Sequence, residues 1–443
     1  MGSPEAAPAS PTAGTRCRPD QPVGTVDETM PFDHIVVVMM ENHSFDNVLG
    51  ELGRTRSDVE GLTFKPGASE PDDWNPGVGA LPPKVTSFPL TSTAQATNIT
   101  QSWRATREQM DGGKMDGFVK TSNAIEPMGY YTADVLPFAN SLATTFTLAN
   151  RWFCSAPAPT YPNRRFLLAA TARGLTATNA LGLFDGPPPN GTIFDRLSDH
   201  QIRWASYSTE LPMTLVYPSI LLKHLDHHHR IDRFFHDCKA GSLPAVSFVD
   251  PALGKLRDLA SALPTVIKDS LGLLGVRIDH LPHGQTEEDP DDMYYGEKWA
   301  YELVEAVIHS PAWERTVLIY TYDEHGGYYD HMPPPDAPVP DDAEPNLPVG
   351  EPADRYDRYG PRVPAVVVSP YSKPGGVSNE LYDHTSILAT IEHKWNLPAL
   401  SDRDAQANDI MDFLDTSNKA LEQPGALTSP SETGPSGPVT APS

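Results

Sequence analysis

Four short apolar runs constrain the fold of this chain more than any other feature of its sequence. They occupy residues 35–40, 245–249, 317–320 and 363–368. Each run is nearly continuous rather than alternating, which is typical of strands covered on both faces, as in a parallel sheet between helical layers. Residues 297–309 predict one covering helix, because apolar side chains recur there with a 3.6-residue period. The sequence therefore predicts an α/β fold with a central, mostly parallel sheet.

Composition at the two ends suggests where this folded part begins and stops. Both termini are rich in Ala, Pro, Ser, Gly and Thr, so they bury too little apolar surface to offset the entropy of ordering. We expect flexible tails at residues 1–30 and 423–443 and one folded domain over 31–422. Three stretches crowded with Pro, Gly and Asp are expected to be long loops that form a pocket mouth: 51–95, 176–200 and 330–360.

The charge balance limits the partners of the chain. The sequence has 33 Lys and Arg against 58 Asp and Glu, a formal net charge of −25. Such a surface repels phosphate backbones and anionic headgroups, so we expect no nucleic-acid partner and no stable membrane insertion. The N-terminus has no signal-peptide pattern. Two locations stay open: the cytoplasm for the chain as it stands, or export if a signal was removed. The oligomeric state is also open.

Acidic residues follow three of the predicted strands. Glu41 and Asn42 follow the first run, Asp250 follows the second, and Asp323 and Glu324 follow the third. Ligand sites in open α/β sheets lie beyond the carboxyl ends of the strands, so these side chains are expected to converge. Crowded hard oxygen donors favour a divalent cation such as Mg²⁺, Ca²⁺ or Mn²⁺. The alternative is that each acid is a solvated strand end or a helix cap.

A second candidate feature is the segment 158–165, which precedes a helix-compatible apolar run at 166–170. Thr160 is predicted to be the N-cap of a helix, with Pro162 in its first turn, where a missing N–H costs nothing. The free amides and positive dipole end of a helix N-terminus bind anions, and Arg164 would add positive charge. The pattern fits a phosphate. A Thr cap without chemistry is the alternative.

Histidines form the third candidate feature. His384 precedes an apolar helix, and Asp279 lies close to His280 and His283. Any of these histidines can complete a metal or phosphate site, although solvated or structurally satisfied histidines are the more common case. The run at 227–229, which contains His228, is more typical of a polar helix face or a loop, and the alternative is that one member reaches the pocket.

Five longer motifs resemble the bacterial phosphoesterase family of phospholipases C and acid phosphatases, within the alkaline-phosphatase-like superfamily. They occur in the family's order, at residues 32–46, 113–118, 159–164, 322–331 and 382–386. The resemblance implies an alkaline-phosphatase-like three-layer sandwich, with 31–422 as the phosphoesterase catalytic domain. It also implies hydrolysis of a small phosphate ester or a phospholipid headgroup.

The resemblance further implies roles for individual residues. Thr160 would be the nucleophile that attacks phosphorus, with histidines as proton donors and phosphate ligands: His280, His283 and His384. A divalent ion (calcium, magnesium, manganese or zinc) would be held by Glu41, Asn42, Thr160, Asp323 and Glu324. Substrate contacts would come from Arg164, Gln101, Lys114 and His228. Gln101 stands where many relatives carry a histidine, and a glutamine cannot act as an acid.

Two other functions compete with the phosphoesterase interpretation. Sulfatases of the same superfamily carry a nucleophile-x-Pro-x-Arg signature like that of Thr160, Pro162 and Arg164. Their nucleophile is an oxidised Cys or Ser, and a threonine cannot give the same aldehyde. The other alternative is a non-catalytic ligand-binding protein that has kept the fold. The intact threonine and acids favour the enzyme.

Overall fold

The computed structural model describes residues 10–95, 99–179, 186–252, 263–276, 286–288, 290 and 292–430. Its strands, in chain order, are β1 (His34–Met40), β2 (Trp74–Pro76), β3 (Lys84–Thr86), β4 (Phe88–Pro89), β5 (Gly129–Tyr130), β6 (Thr147–Ala149), β7 (Trp204–Ser208), β8 (His228–Arg230), β9 (Val246–Asp250), β10 (Thr316–Tyr322), β11 (Ala365–Val368) and β12 (Val377–Ser378). The main sheet has eight strands in the order β12-β6-β11-β10-β1-β9-β7-β8. The pairs β2-β3 and β4-β5 lie outside it.

The prediction of a mostly parallel sheet is confirmed. β1 lies at its centre and pairs in parallel with β10 and β9, so that Val37 is opposite Ile319 and Phe248. β11 runs antiparallel to both of its neighbours, β10 and β6. The last predicted run, 363–368, is therefore a strand of the opposite direction. It begins at Ala365 because Pro364 has no N–H to donate to a ladder.

Helices cover the sheet. They are α1 (Phe45–Leu49), α2 (Trp103–Met110), α3 (Phe118–Ser122), α4 (Pro137–Thr145), α5 (Thr160–Ala169), α6 (Ile193–Asp199), α7 (Pro218–Lys223), α8 (Ile231–Ala240), α9 (Thr265–Leu273), α10 (Met293–Ile308), α11 (Thr385–Trp395) and α12 (Asp402–Ala405). α10 packs against α4 and α8, whereas α5 packs against α6 and α11. Since nearly every residue of β1 and β10 is buried, both faces of the sheet are covered. Over the described ranges, no helix has the length and apolar character needed to cross a bilayer.

The predicted helix at 297–309 starts four residues earlier than expected. The Asp292 side chain caps the helix by accepting a hydrogen bond from the Tyr294 amide at 3.0 Å. A carboxylate cap at this position satisfies one of the free amides of the first turn, so it fixes the start of the helix. An aspartate among several neighbouring aspartates gives no clear sign of which one acts as the cap.

The predicted N-terminal tail is bound to the domain in its described part. The Asn396 side-chain amide donates to the carbonyls of Arg18, Gln21 and Pro22. The Lys394 ammonium donates to the carbonyls of Asp27 and Met30. Two buried polar side chains at the end of α11 thus bind this segment to the domain. At the other end, Leu427 is buried, so the described part of the predicted tail 423–443 also contacts the domain.

Candidate functional site

The carboxyl ends of β1 and β10 bring the predicted acids together. Because the strands are parallel with Met40 opposite Tyr322, the residues that follow them lie side by side. The Asp323 amide donates to the Met40 carbonyl at 3.2 Å, and the Asn42 side chain donates to Glu324 Oε1 at 2.9 Å. Each of the four residues is at most 1% exposed: Glu41, Asn42, Asp323 and Glu324. The convergence expected from the strand-end rule is therefore observed.

Gly326 holds this arrangement tightly, although the sequence analysis did not single it out. Its amide donates to Glu324 Oε2 at 2.8 Å, and its φ of +66° lies in the left-handed region. A Cβ at this position would lie 1.9 Å from the Asn42 carbonyl oxygen. Only glycine fits such a close approach. The Gly-Gly pair that follows Asp323, Glu324 and His325 was the signal that could have indicated it.

Helix α5 carries Thr160 into the site, but not as the cap that was predicted. The N-cap is Pro159, and Thr160 is the first helical residue, with no capping hydrogen bond from its side chain. The turn before the helix is held instead by Asn163, whose side chain accepts from the Ala156 amide at 3.0 Å and donates to the Ala158 carbonyl at 2.7 Å. With the turn already held, the Thr160 hydroxyl is not needed for the cap.

The Thr160 hydroxyl is buried without a hydrogen bond. The residue is 1% exposed, and Oγ1 has no partner among the described residues. A buried hydroxyl with no partner costs about 1–3 kcal/mol, and such groups call for an explanation. At the first position of a helix, a free oxygen beside the positive dipole end is suited to meet a ligand.

Arg164 lies one helical turn after Thr160, on the same face of α5. Its Nε donates to Asp323 Oδ2 at 2.8 Å, its NH2 donates to the Met40 carbonyl at 3.1 Å, and NH2 lies 3.7 Å from Glu41 Oε1. Over the described part of the chain, its NH1 has no partner. The face of α5 that carries Thr160 and Arg164 therefore packs against the strand ends that carry the acids.

The acids outnumber the cations around this guanidinium. Burial raises the pKa of Asp323 to about 8, since the neighbouring charges of Glu41 and Glu324 add to it and Arg164 offsets only part. Burial likewise raises the pKa of Asp250, at the end of β9, to about 6. Several buried carboxylates share one guanidinium here, and a hard divalent cation would reduce their mutual repulsion. Carboxylate oxygens are also the ligands that such cations prefer. The donor set and the unpartnered Thr160 oxygen fit a divalent ion.

His384 contacts the site through the backbone. Trp152 Nε1 donates to its Nδ1 at 3.4 Å, and its Nε2 lies 2.7 Å from the Asp323 carbonyl oxygen, to which it donates. Burial lowers the pKa of His384 to about 4, so the ring is neutral at pH 7. With both nitrogens used in this way, His384 holds the Asp323 backbone in place. The other predicted catalytic histidines, His280 and His283, lie outside the described residues.

The predicted substrate contacts fall in three different places. Gln101 lines a cavity of about 530 Å³ that also touches Pro159, next to Thr160. Lys114 is 69% exposed and pairs with Asp111 at 2.6 Å. His228 lies on the edge strand β8, where Thr214 and the His224 carbonyl bond its two ring nitrogens at 2.7 and 2.8 Å. The structure therefore brings Arg164 to the strand-end acids and places Gln101 on a cavity that reaches Pro159, whereas Lys114 and His228 lie elsewhere.

A second group with metal-ligand geometry joins the first turn of α1 to the segment that follows β10, and the sequence analysis did not name it. Ligand atoms of Asp46, Asp330 and His331 lie within 4.8 Å of one another. The Arg362 guanidinium contacts the two carboxylates at 3.3 and 2.9 Å. Burial alone would lower the pKa of His331, but Asp46 outweighs it and raises the value to about 9. A cationic histidine and an arginine already balance these two acids.

Glu287 anchors a further segment beside the site. The Tyr322 hydroxyl donates to its Oε2, while its backbone carbonyl oxygen lies 2.7 Å from both His43 Nε2 and Gln95 Nε2. A Cβ on Gly296 would lie 2.3 Å from Glu287 Cγ, so α10 leaves room for this side chain. Burial raises the pKa of Glu287 from 4.5 to about 8. The hydrogen bond from Tyr322 lowers the pKa but offsets only part of this rise.

The raised pKa of Glu287 predicts a pH-dependent cost in stability. The folded chain keeps a proton that the unfolded chain loses between about pH 5 and about pH 8, so the unfolding free energy falls by about 1.4 kcal/mol per pH unit in that window. Glu287→Gln removes this titration. In urea unfolding, the free energy of unfolding of the variant should rise relative to that of the wild type as pH rises. The difference should become constant above about pH 8. Parallel profiles for the two proteins would contradict the burial of an ionisable carboxyl there.

The sequence of the chain is similar to those of proteins in a known family. A model of the phosphoesterase family matches residues 32–398. Non-specific phospholipase C1 of Arabidopsis thaliana is 32% identical over 406 residues, which are 85% of this chain and 70% of that protein. Phospholipase C B of Mycobacterium tuberculosis is 27% identical over 444 residues, 85% of this chain and 76% of that protein.

Solved structures resemble the chain only loosely. The lipoteichoic acid synthase LtaP from Listeria monocytogenes has a TM-score of 0.40 at 12% identity, covering 86% of this chain and 79% of that one. A protein in the alkaline phosphatase superfamily from Vibrio parahaemolyticus has a TM-score of 0.36 at 8% identity, covering 82% and 78%. The family assignment rests on the match of the family model across most of the chain. The chain therefore belongs to the phosphoesterase family.

Proposed function

We propose that this phosphoric ester hydrolase is metal-dependent and works through a covalent phosphothreonine at Thr160, as an enzyme of the acid phosphatase or phospholipase C type. The observation that carries the proposal is the buried Thr160 hydroxyl, which has no hydrogen-bond partner in the described ranges. A buried threonine with only a structural role would be expected to use its hydroxyl in a hydrogen bond, and Thr160 does not. The relatives named phospholipase C favour a phospholipid headgroup or a smaller phosphate ester as the substrate.

The residues of α5 account for the first step. Thr160 Oγ attacks phosphorus, so that an Oγ–P bond forms while the bond from phosphorus to the alcohol oxygen breaks, and the alcohol takes up a proton. The N-terminal amides of α5 and the positive end of its dipole face the transferred group and stabilise its negative oxygens. Arg164, with NH1 unpartnered among the residues described, adds a fixed positive charge one turn away.

In the second step a water attacks phosphorus, phosphate leaves, and Thr160 regains its proton. Glu41, Asn42, Asp323, Glu324 and Thr160 are the residues that would hold a divalent ion. When bound, such an ion supplies Lewis-acid stabilisation of phosphoryl oxygens and favours the ionised form of a coordinated hydroxyl. His384 fixes the Asp323 backbone through its hydrogen bond to the carbonyl, so it acts as a positioning residue.

Metal removal tests the proposal. Exhaustive chelation should abolish hydrolysis of p-nitrophenyl phosphate, bis(p-nitrophenyl) phosphate and phosphatidylcholine alike, because the carboxylates are then left without a counter-charge. Readdition of Ca²⁺, Mg²⁺, Mn²⁺ or Zn²⁺, one at a time, should restore turnover with at least one ion. Full turnover by protein that elemental analysis finds free of metal would contradict the metal dependence. The relative rates on the three esters show whether the enzyme prefers a phosphomonoester, a phosphodiester or a phospholipid.

A further inference from the structure

Asn163 is a fully buried residue at the end of the first turn of α5, three positions after Thr160. Both ends of its side chain contact the turn that precedes the helix. Its Oδ1 accepts a hydrogen bond from the Ala156 amide at 3.0 Å. Its Nδ2 donates to the carbonyls of Ala156, Ala158 and Pro159 at 3.2, 2.7 and 3.3 Å. One side chain therefore fixes the backbone directly before the proposed nucleophile.

These hydrogen bonds bear on where α5 begins. The helix has Pro159 as its N-cap, whereas a start one residue later would make Thr160 the N-cap. An N-cap threonine accepts from the amide two or three residues further on, and Pro162 has no N–H. The hydroxyl would then accept from the Asn163 amide. With the helix start at Pro159, the Thr160 hydroxyl makes no hydrogen bond within the described residues.

The other end of the same turn is joined to the segment that holds the acids. Ser155 donates from its hydroxyl to Asp383 Oδ2 at 2.6 Å, and the Arg403 guanidinium donates to the Ser155 carbonyl at 2.7 Å. His384, the residue after Asp383, bonds the Asp323 carbonyl oxygen. The turn thus has a fixed place relative to the strand ends, and the conformation of its last residues decides where the threonine hydroxyl lies.

Resting on the function proposed above, we propose that Asn163 is a positioning residue for Thr160. It fixes the start of α5 one residue before the threonine, which leaves the hydroxyl for phosphorus and for a metal ion. Over the described ranges, the side-chain hydrogen bonds of Asn163 all go to the preceding turn. Its influence on the reaction therefore passes through Thr160.

Kinetics of Asn163→Ala test this role. The variant should lower kcat for p-nitrophenyl phosphate about 100-fold, because a displacement of about 1 Å in a reacting group has an effect of that size. KM and the metal content should stay close to those of the wild type, since the side chain bonds only the turn. An unchanged kcat, or a loss of turnover that accompanies loss of the metal, would overturn the proposal.

Asn396→Ala is the matched control, because it removes a similar set of hydrogen bonds away from the site. Asn396 is also fully buried, accepts from the Arg18 amide at 3.1 Å and donates to three carbonyls of the N-terminal segment. Its φ of +49° adds backbone strain when alanine replaces it. Its melting temperature should fall at least as far as that of Asn163→Ala, with kcat unchanged. A parallel fall in kcat in both variants would overturn the positioning role.

A double variant separates this role from the proposed function. In a Thr160→Ala background, Asn163→Ala should cause no further loss of the residual rate, because a positioning residue cannot act without the hydroxyl. A further loss of about 100-fold would show that Asn163 acts elsewhere. If Thr160→Ala turns over like the wild type, the proposed function fails and this role fails with it. If only Thr160→Ala loses turnover, the role of Asn163 alone fails.

Discussion

Replacing Thr160 by alanine should lower kcat by about four orders of magnitude or more, because the covalent step has no nucleophile without the hydroxyl. The free energy of unfolding should change little. Oγ1 makes no hydrogen bond among the described residues, so truncation removes no capping interaction. Steady-state kinetics together with thermal melting of both proteins measures the two effects separately.

Thr160→Ser is the matched control for that prediction. Serine keeps the hydroxyl at the same helical position, so this variant should retain substantial activity. A Thr160→Ala variant that turns over like the wild type would show that the hydroxyl is not the nucleophile. If both variants lost activity equally and both melted at a much lower temperature than the wild type, Thr160 would have a packing role instead.

Asp323→Asn should have opposite effects on activity and on the stability of the metal-free protein. The change removes one carboxylate of the predicted metal site, so metal affinity and turnover should each fall at least about 100-fold. The amide also mimics a protonated Asp323, whose pKa burial raises to about 8. The wild-type apoprotein therefore loses stability as pH rises towards about 8, and the variant avoids that loss.

Elemental analysis, turnover assays and chelated melting curves check this prediction. With chelator present, the melting temperature of Asp323→Asn should exceed that of the wild type by a margin that grows between about pH 5 and about pH 8. Asp134→Asn changes the same group on the exposed surface and should match the wild type in all three measurements. A variant that keeps its metal and its turnover would contradict the assignment of Asp323 as a ligand.

The sequence allows the core of the sheet to be predicted because composition and burial agree there. The runs at 35–40, 245–249 and 317–320 lie within one or two residues of β1, β9 and β10. Their acids converge because parallel strands end at the same edge of a sheet. The direction of β11 was not predictable, since apolar content records burial and carries no information about strand polarity.

Other parts of the site depend on contacts between distant segments. Glu287 follows no strand, and its place is set by Tyr322 and His43, which lie far away in sequence. The capping role predicted for Thr160 failed because Asn163 holds the turn in its place. His384 was predicted as a phosphate or metal contact, and in the structure its two ring nitrogens contact Trp152 and the Asp323 carbonyl. A local sequence pattern indicates which residues are suited to a site. It does not indicate which distant residues they will contact, because those contacts depend on the tertiary fold.

The most direct measurement asks which residue carries the phosphoryl group during turnover. Trypsin should release residues 152–164 as one peptide, which contains Thr160 and no histidine. The wild type, quenched in acid during steady-state hydrolysis, should show one phosphoryl group on this peptide by mass spectrometry, with fragmentation placing it on Thr160. Thr160→Ala should show none. An acid-labile label on a histidine peptide, or turnover with an unmodified Thr160 peptide at every quench time, would contradict the phosphothreonine mechanism.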